Sequence, residues 1–241
     1  MSRLFAFLIV ITVAFTSCRG GLFGKRVAGN GTVKTETRSA ASFNSVDVSG
    51  DMDLYIRQDS SRSIKIEADE NLFSYIVVDN EGDKLVIRPR EGFNLKPTGS
   101  IKVYVSSPVF HKIEASGACD VFTENQITSS ETIDLDLSGA SDAKLDLKAP
   151  KITADVSGAC TVEVKGETKT FSGDGSGSSN FKCFGLTAEN VDVDISGAGD
   201  AEVFATTKLD VDITGAAGVK YKGNPSINQK ISGAGSVRKV D

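Results

Sequence analysis

Acidic side chains recur at one position of a repeated motif, and their type and spacing could support chemistry. The motif reads DVSGAC at residues 155–160, with the acid three residues before the central glycine. Because carboxylate oxygens are the ligands that Ca²⁺ prefers, a stacked row of these acids would form a cation-binding ladder. The alternative is a solvated face whose carboxylates pair with neighbouring lysines or with turn amides. The row, here called the acidic column, is Asp136, Asp155, Asp174, Asp194 and Asp212, and Asp47 and Glu114 occupy equivalent positions.

Two further columns of the repeat are polar. Three residues after the glycine stand short Asp and Asn side chains, which suit turns because they bond nearby backbone amides. Five residues after the glycine, lysine and glutamate alternate, which favours cross-strand attraction of a few tenths of a kcal/mol per pair. The first column includes Asp120, Asp142, Asn180 and Asp200, and the second includes Lys144, Glu163, Lys182, Glu202 and Lys220.

Cysteine spacing argues against disulfide bonds. Beyond the N-terminal segment the cysteines are Cys119, Cys160 and Cys183, an odd number. Cys119 and Cys160 share a column two turns apart, a separation of about 9–10 Å that exceeds the roughly 7 Å reach of a disulfide. We expect these thiols to be reduced and to fill a tight corner.

No set of residues predicts an enzyme. The lone His111 lies near the start of a strand and is interpreted as a boundary residue, and the chain has no Trp to stack on sugars. A polysaccharide-active β-helix enzyme needs one carboxyl pair with separated pKa values, whereas these acids recur in every turn. The sequence predicts a non-enzyme without a cofactor, apart from the Ca²⁺ hypothesis, and such an enzyme is kept as an alternative.

The elements that position these columns follow from the glycines. From Gly117 onward, successive motif glycines are 18 to 22 residues apart, a spacing typical of solenoids. Apolar residues alternate with polar ones on either side of each glycine, which indicates strands with one buried face. The glycines, where each strand should bend, are Gly50, Gly117, Gly139, Gly158, Gly177, Gly197, Gly215 and Gly233.

We therefore predict an all-β fold, a parallel β-helix-like solenoid with about 18–22 residues per turn. An antiparallel barrel or sandwich is the second choice. The long interval between Gly50 and Gly117 holds alternating segments and a hairpin turn at residues 80–83. We assign residues 41–112 to an N-terminal cap with the first turn, and residues 113–241 to the repeat solenoid.

The N-terminus predicts export. Residues 4–15 form an apolar run after a positive start, too short to span a bilayer, and the expected cleavage precedes Cys18. Residues 1–17 are interpreted as a signal peptide, Cys18 as the lipidation site, and 18–40 as a flexible tether rich in Gly and polar residues. Arg19 follows Cys18, so an Asp-type inner-membrane retention signal is missing. The prediction is an outer-membrane lipid anchor, with the leaflet left open.

Charge excludes one class of partner. The formal net charge is −5 and the chain has no basic tract, so nucleic acid is excluded as a partner. The expected partners are the membrane, through the lipid, and a protein or glycan on the envelope or a host surface.

The repeated SGA motif, behind a lipoprotein-type signal and a hairpin-rich front, resembles a bacterial family. The family is described as the putative auto-transporter adhesin, head GIN domain family, common in Bacteroidetes, and the resemblance covers about residues 43–240. It implies a right-handed β-helix-like fold and an adhesin role, and it supplies no catalytic residues. The expected function is that of an anchored, non-enzymatic binding or structural surface protein; the alternative is a periplasmic envelope component acting through protein contacts.

Overall fold

The computed structural model describes residues 24–39 and 41–241. The predicted signal peptide and the lipidation site Cys18 lie outside the described residues. The structure is 71% strand and 3% helix and forms a β-solenoid of about 7 turns. Within the described ranges, no helix has the length and apolar character needed to cross a membrane.

Twenty strands are described, and a 3₁₀ helix at Glu70–Tyr75 precedes β6. The strands are β1 (Lys25–Ala28), β2 (Val33–Arg38), β3 (Ser45–Gly50), β4 (Asp53–Gln58), β5 (Ser63–Asp69), β6 (Ile76–Glu81), β7 (Lys84–Pro89), β8 (Phe93–Lys96), β9 (Lys102–Ser107), β10 (Lys112–Gly117), β11 (Asp120–Thr123), β12 (Ile127–Thr128), β13 (Ile133–Gly139), β14 (Asp142–Gly158), β15 (Thr161–Gly177), β16 (Asn180–Gly197), β17 (Asp200–Gly215), β18 (Gly218–Lys222), β19 (Ser226–Gly233) and β20 (Ser236–Lys239).

Equivalent positions of successive turns pair in parallel. Gly139 pairs with Gly158, and Gly158 pairs with Gly177. The same register continues from Gly50 at one end to Gly233 at the other. Each of β14 to β17 makes most of one turn as a single bent strand. The predicted parallel coil is confirmed, and the antiparallel barrel or sandwich is ruled out for this part of the chain.

One corner is built at the same place in every turn. Gly158 has φ 99°, a region that favours glycine, and the amide of Ala159 donates to the carbonyl oxygen of Gly139 at 2.8 Å. A Cβ built on Gly177 would lie 2.7 Å from the carbonyl oxygen of Gly158. The corner therefore requires glycine both for its backbone angle and for the close approach of the next turn. The corner glycines with positive φ are Gly50, Gly117, Gly139, Gly158, Gly177, Gly197, Gly215 and Gly233.

The core consists of apolar columns inside the coil. Val156 and Ile195, two residues before their corner glycines, are almost fully buried. In the turn between them the equivalent residue is Gly175, and the ring of Phe181 fills the space that its side chain would occupy. Phe181 meets Phe171 edge to face, with ring centroids 6.3 Å apart. Two aromatic rings thus replace the missing aliphatic side chains and keep the column filled.

A non-repeating cap closes the N-terminal end. β7 adds in parallel to β3, and β6 pairs antiparallel with β7 through a turn at Gly82, which has φ 68°. In the neighbouring face β9 adds to β4, and β5 and β2 continue antiparallel. Phe43 and Phe110 pack 6.4 Å apart beneath this cap, and Leu72 of the 3₁₀ helix is fully buried. The cap residues therefore extend the apolar core of the coil.

The flexible tether predicted for residues 18–40 is wrong over β1 and β2. β1 pairs in parallel with β8, and β2 pairs antiparallel with β5. The buried carboxylate of Asp69 fastens this segment, because it accepts hydrogen bonds from the amide of Gly31 at 2.7 Å and from the amide of Thr98 at 2.9 Å. These bonds, that from Thr98 first, lower the pKa of Asp69. The segment is ordered by pairing rather than by an apolar face of its own.

The C-terminal end is built differently. β19 pairs only with β17, and β20 pairs only with β18. All eight residues of β19 are exposed, including Ile227 and Ile231. The last turn thus leaves one side of each strand without a partner in the described chain.

Candidate functional site

The acidic column is a continuous ladder in the structure. Asp155 pairs in register with Asp136 on one side and with Asp174 on the other, and the row continues through Asp194 to Asp212. A shallow groove of about 340 Å³ follows these carboxylates over four turns. The coil thus brings together side chains that are distant in sequence.

Lysines neutralise both ends of the row. Near the cap, the Nζ of Lys84 lies 3.3 Å from Glu114, and the Nζ of Lys112 lies 2.9 Å from Glu114 and 3.7 Å from Asp136. At the other end, the Nζ of Lys230 lies 2.8 Å from Asp212. The alternative interpretation, a solvated face paired with lysines, therefore describes the two ends.

The middle of the row is different. Among the described residues no lysine or arginine forms an ion pair with Asp155, Asp174 or Asp194. Burial raises the pKa of Asp174, and the carboxylates of Asp155 and Asp194 raise it further. The adjacent Asp192 has a raised pKa for the same reasons, burial first and then Asp210. This stretch concentrates negative charge that the protein itself does not neutralise.

The carboxylates form a line rather than a cage. In the described ranges, no three His, Cys, Asp or Glu side chains are grouped so that they could hold a metal ion. Parallel strands place the acids about 4.8 Å apart and aim them all outward. A Ca²⁺ site needs six to eight oxygens around one point, as a general rule. The described carboxylates are therefore spread along the face and do not surround a single point.

The column after the corner joins one turn to the next. The amide of Thr161 donates to Asp142 at 2.9 Å, and the amide of Gly218 donates to Asp200 at 2.9 Å. Asn180 accepts in the same way from the amide of Asp200 at 3.1 Å. These side chains do bond backbone amides, as expected, but the amides belong to the following turn, so the column is structural.

The alternating column is also in register. Lys144 pairs with Glu163, and Glu202 pairs with both Lys182 and Lys220. Only the Lys220–Glu202 pair has a short ion-pair distance, 2.8 Å, among the described members of this column. The column supports the register and provides no concentrated charge.

The three cysteines of the described ranges are buried and unpaired. The Sγ of Cys119 and of Cys160 each lie 3.4 Å from the carbonyl oxygen three residues earlier, and Ser179 makes the same contact at 2.7 Å. Burial raises the pKa of Cys119 to about 11 and that of Cys183 to about 12. Protonated, buried thiols are poor nucleophiles. Cys119 and Cys160 act as small side chains that close the corner, and Cys183 lies in a different column.

Aromatic residues form a ladder on the other side of the corner. Tyr55 stacks between Tyr104 and Phe122, with centroid distances of 4.9 and 5.2 Å, and the Nζ of Lys65 lies 4.6 Å from the centre of the Tyr104 ring. The less regular sequence of the cap strands predicts Phe93, Tyr104 and Phe110 as contact residues. That interpretation is wrong for Phe110, which is fully buried in the cap. The ladder itself was missed because its members come from three separated segments.

A concavity larger than the acidic groove lies on the remaining face. It has a volume of about 590 Å³ and crosses five turns. An ion pair of 2.9 Å between Lys148 and Glu167 lies in its wall. Its size is that of a ligand site, and sequence analysis missed it because threonines in a solenoid look like ordinary surface residues. Its lining includes Thr128, Lys148, Pro150, Glu167, Thr187 and Thr206.

His111 has no catalytic surroundings. Its amide donates to the carbonyl oxygen of Asn44 at 2.7 Å, and its Nε2 lies 3.9 Å from the exposed carboxylate of Glu131. It immediately precedes β10, as a boundary residue would.

The comparisons with known proteins agree with this architecture. The family model described as "putative auto-transporter adhesin, head GIN domain" matches residues 42–225. The chain belongs to this family. Membership in this adhesin-like family indicates a surface or extracellular protein. A comparison with curated protein sequences finds no match.

Solved structures of similar proteins have the same fold. A putative adhesin from Bacteroides fragilis is 22% identical, with a TM-score of 0.84 over 89% of this chain and 100% of that one. A putative adhesin from Parabacteroides distasonis is 25% identical, with a TM-score of 0.74 over 89% of this chain and 100% of that one. A putative lipid binding protein from the same species is 25% identical, with a TM-score of 0.72 over 90% and 100%.

Proposed function

We propose that the protein is a non-enzymatic, adhesin-like binding protein, held at the outer membrane by a lipid on Cys18. Its solenoid acts as a stiff rod that presents flat faces to a partner. The partner is a protein or glycan of the envelope or of a host surface.

The register of the coil carries this proposal. Every polar column repeats from turn to turn, so charge and hydrogen-bonding groups are spread along faces. An enzyme of the polysaccharide-cleaving type instead needs one acid and one base at a single point, with pKa values moved apart. Asp174 has a raised pKa, but it lies between two like residues of the same ladder.

The cap end fits the proposed anchor. β1, the first described strand, pairs with β8 in the cap. A lipid attached before it would hold the cap near the membrane and direct the last turn away from it. Two or more acyl chains are needed for stable anchoring, which lipidation of an N-terminal Cys provides.

Protease treatment of intact cells tests this function. We expect the protein to be digested together with known surface lipoproteins, and expect a Cys18→Ala variant to leave the membrane fraction. Cys119→Ser is the matched control, because that thiol is buried and its column also holds serines. A protein that stays intact while other surface lipoproteins are cut would favour the alternative, a periplasmic envelope component.

The enzymatic alternative has its own test. We expect no cleavage of acidic polysaccharides by the purified protein. Cleavage that disappears in Asp174→Asn but persists in the control Glu163→Gln, on a different face, would make the protein an enzyme.

A further inference from the structure

The last described turn has a strand edge that carries exposed apolar side chains. Ile227 and Ile231 lie in register with the buried Leu209 and Ile213 of β17, yet they are 40% and 38% exposed. Solenoids normally end in a turn with a polar outer surface, since an open edge invites another strand. This edge continues the columns of Leu209 and Ile213, while Gln229 takes the place of Val211.

The sequence of β19 is nearly the same in both directions. Residues 226–232 read SINQKIS, which is symmetric about Gln229 except for Asn228 and Lys230. A two-fold interface requires a self-complementary surface, and two identical strands related by a two-fold axis across their edges run antiparallel. The edge is therefore suited to a second copy of itself.

We propose that β19 pairs antiparallel with β19 of a second copy, about a two-fold axis at Gln229. In this register Ile227 faces Ile231 of the second copy, and both lie on the core side of their strands. Lys230 faces Asn228 of the second copy, so no two lysines meet. The Nζ of Lys230 also lies 2.8 Å from Asp212 of its own chain, which offsets its charge.

Neighbouring registers are worse. Centring the pair on Lys230 would place two like charges opposite each other and set Gln229 against Ile231. Centring it on Asn228 would set Ile231 against Pro225, which has no amide to donate. A shift that places odd positions against even ones would turn the isoleucines away from the core side.

The remaining charges at this end do not oppose the pairing. β20 carries Arg238 and Lys239 and follows β19 around the coil. Because the axis passes through the middle of β19, β20 of the second copy lies on the opposite side of the coil. The positive ends of the two β20 strands are therefore kept apart.

The arrangement deepens the proposed function and rests on it. If the lipid holds the cap end, the two anchors lie at opposite ends of a rod of twice the length. Each solenoid of about 7 turns rises roughly 30–35 Å. Copies on two facing membranes would then join tip to tip, and the ligand for adhesion would be the same protein on another cell.

Cysteine cross-linking of the full-length lipoprotein in detergent tests the register. Opposed residues of an antiparallel pair have Cα atoms about 4.5–5.5 Å apart, within disulfide range. We expect Gln229→Cys to form a covalent dimer under mild oxidation and the register control Asn228→Cys to form little. The described cysteines are buried and do not compete. Equal yields from the two variants would overturn the proposal.

Sedimentation of the same protein tests the apolar contact. We expect Ile227→Lys to weaken dimerisation about 100-fold, because both copies lose an isoleucine contact. Val109→Lys is the matched control, since Val109 is 38% exposed but lies outside β19. A circular dichroism melt checks that both variants are folded. A wild-type protein that stays monomeric at the highest attainable concentration would also refute the pairing.

The outcomes separate this inference from the function on which it rests. If the protein forms the cross-linked dimer but resists protease on intact cells, the surface-adhesion proposal is contradicted and the β19 pairing is supported. If the protein is exposed on cells but stays monomeric, the adhesin proposal is supported and the self-pairing is contradicted.

Discussion

The two ends of the solenoid differ in how their edge strands are covered. At the cap, the core is extended by the buried residues Phe43, Leu72 and Phe110. The edge strand of one cap face is β2, which alternates charged residues with threonine. At the edge of the other face, the guanidinium of Arg38 donates to the carbonyl oxygen of Ile76, at the start of β6, at 2.5 Å. At the last turn, β19 is exposed throughout and carries one charge.

The difference shows what a repeat can and cannot do. A repeated unit buries its apolar columns only against another unit, so repetition alone never ends a solenoid. The cap ends it with sequence that does not repeat, including the three antiparallel pairings β6–β7, β5–β9 and β2–β5. The last described turn has no such addition, and its strand β19 is exposed throughout. The following predictions compare the two ends at dilutions where the protein is monomeric.

The largest difference should appear in the apolar side chains. Phe110→Ala removes a fully buried ring from the cap and should lower the free energy of unfolding by about 3–5 kcal/mol. Ile231→Ala at the open end should lower it by less than about 1 kcal/mol, since that side chain is already partly exposed. Urea denaturation measures both. Equal losses would mean that the last turn is as well packed as the cap.

The corner glycines should differ next. Gly117→Ala forces a side chain into a left-handed backbone, φ 98°, and against the carbonyl of Gly50, so it should cost about 3 kcal/mol. Gly233→Ala meets Gly215 in the same way, but the last turn can move outward, and we expect a loss of about 1 kcal/mol.

A glycine without these constraints provides the control for that pair. No atom lies within 4 Å of a Cβ built on Gly99, so Gly99→Ala should change stability by less than about 0.5 kcal/mol. If Gly117→Ala were as mild as Gly99→Ala, the corner would not need glycine. Thermal and urea unfolding give the comparison.

The column two residues after each corner glycine runs between the ends, from Met52 to Gly235, and most of its side chains are small. Cys160→Ser keeps a donor for the carbonyl oxygen of Ser157 and should stay within about 0.5 kcal/mol of the wild type. Cys160→Val has a similar size but no donor, and should cost about 1–2 kcal/mol because that carbonyl loses its partner. Urea denaturation of the two variants separates hydrogen bonding from size, and equal stabilities would assign the column to packing alone.

The smallest effects concern two aspartates whose pKa values are shifted in opposite directions. Burial and the neighbouring carboxylates raise the pKa of Asp174 above its ordinary value of 3.8, so its ionised form weakens the fold at neutral pH. Asp174→Asn should stabilise the protein by a few tenths of a kcal/mol at pH 7, and the gain should fade as the pH drops through the raised pKa.

Asp210, beside the open end, should behave in the opposite way. A hydrogen bond from Lys208 lowers the pKa of Asp210, so its contribution is present above 3.8 and is lost as the pH falls through the lowered pKa. Asp210→Asn should therefore destabilise slightly at pH 7. Thermal melts from pH 7 to pH 3 should bring both variants toward the wild type, and curves that stay parallel would show that ionisation is not the cause.

The repeat was readable from the sequence because each column obeys one constraint. The Gly at the corner, the alternation around it and the acid three residues earlier all follow from stacking equal turns. Exceptions such as Gly175 and Phe181 could be seen as odd members of their columns, but only the structure shows that the ring of one fills the space beside the other.

The cap was less readable because its contacts are made only once. β2 has polar side chains on both of its faces, so no alternation of apolar residues marks it. The role of Asp69 depends on Gly31 and Thr98, which are distant in sequence and belong to no pattern. Of the site, the acidic ladder could be predicted from the sequence. The aromatic ladder and the groove of about 590 Å³ could be found only from the folded structure.

The uniform corner also affects how such a chain can change in evolution. Gly158 and Gly177 occupy equivalent places. Removing residues 159–177 would therefore join Gly158 to Ser178, which keeps the corner intact and shortens the solenoid by one turn. Duplicating the same stretch would lengthen the rod by about 4.8 Å. Unequal recombination within the gene could therefore adjust the length of the rod without rebuilding either terminus.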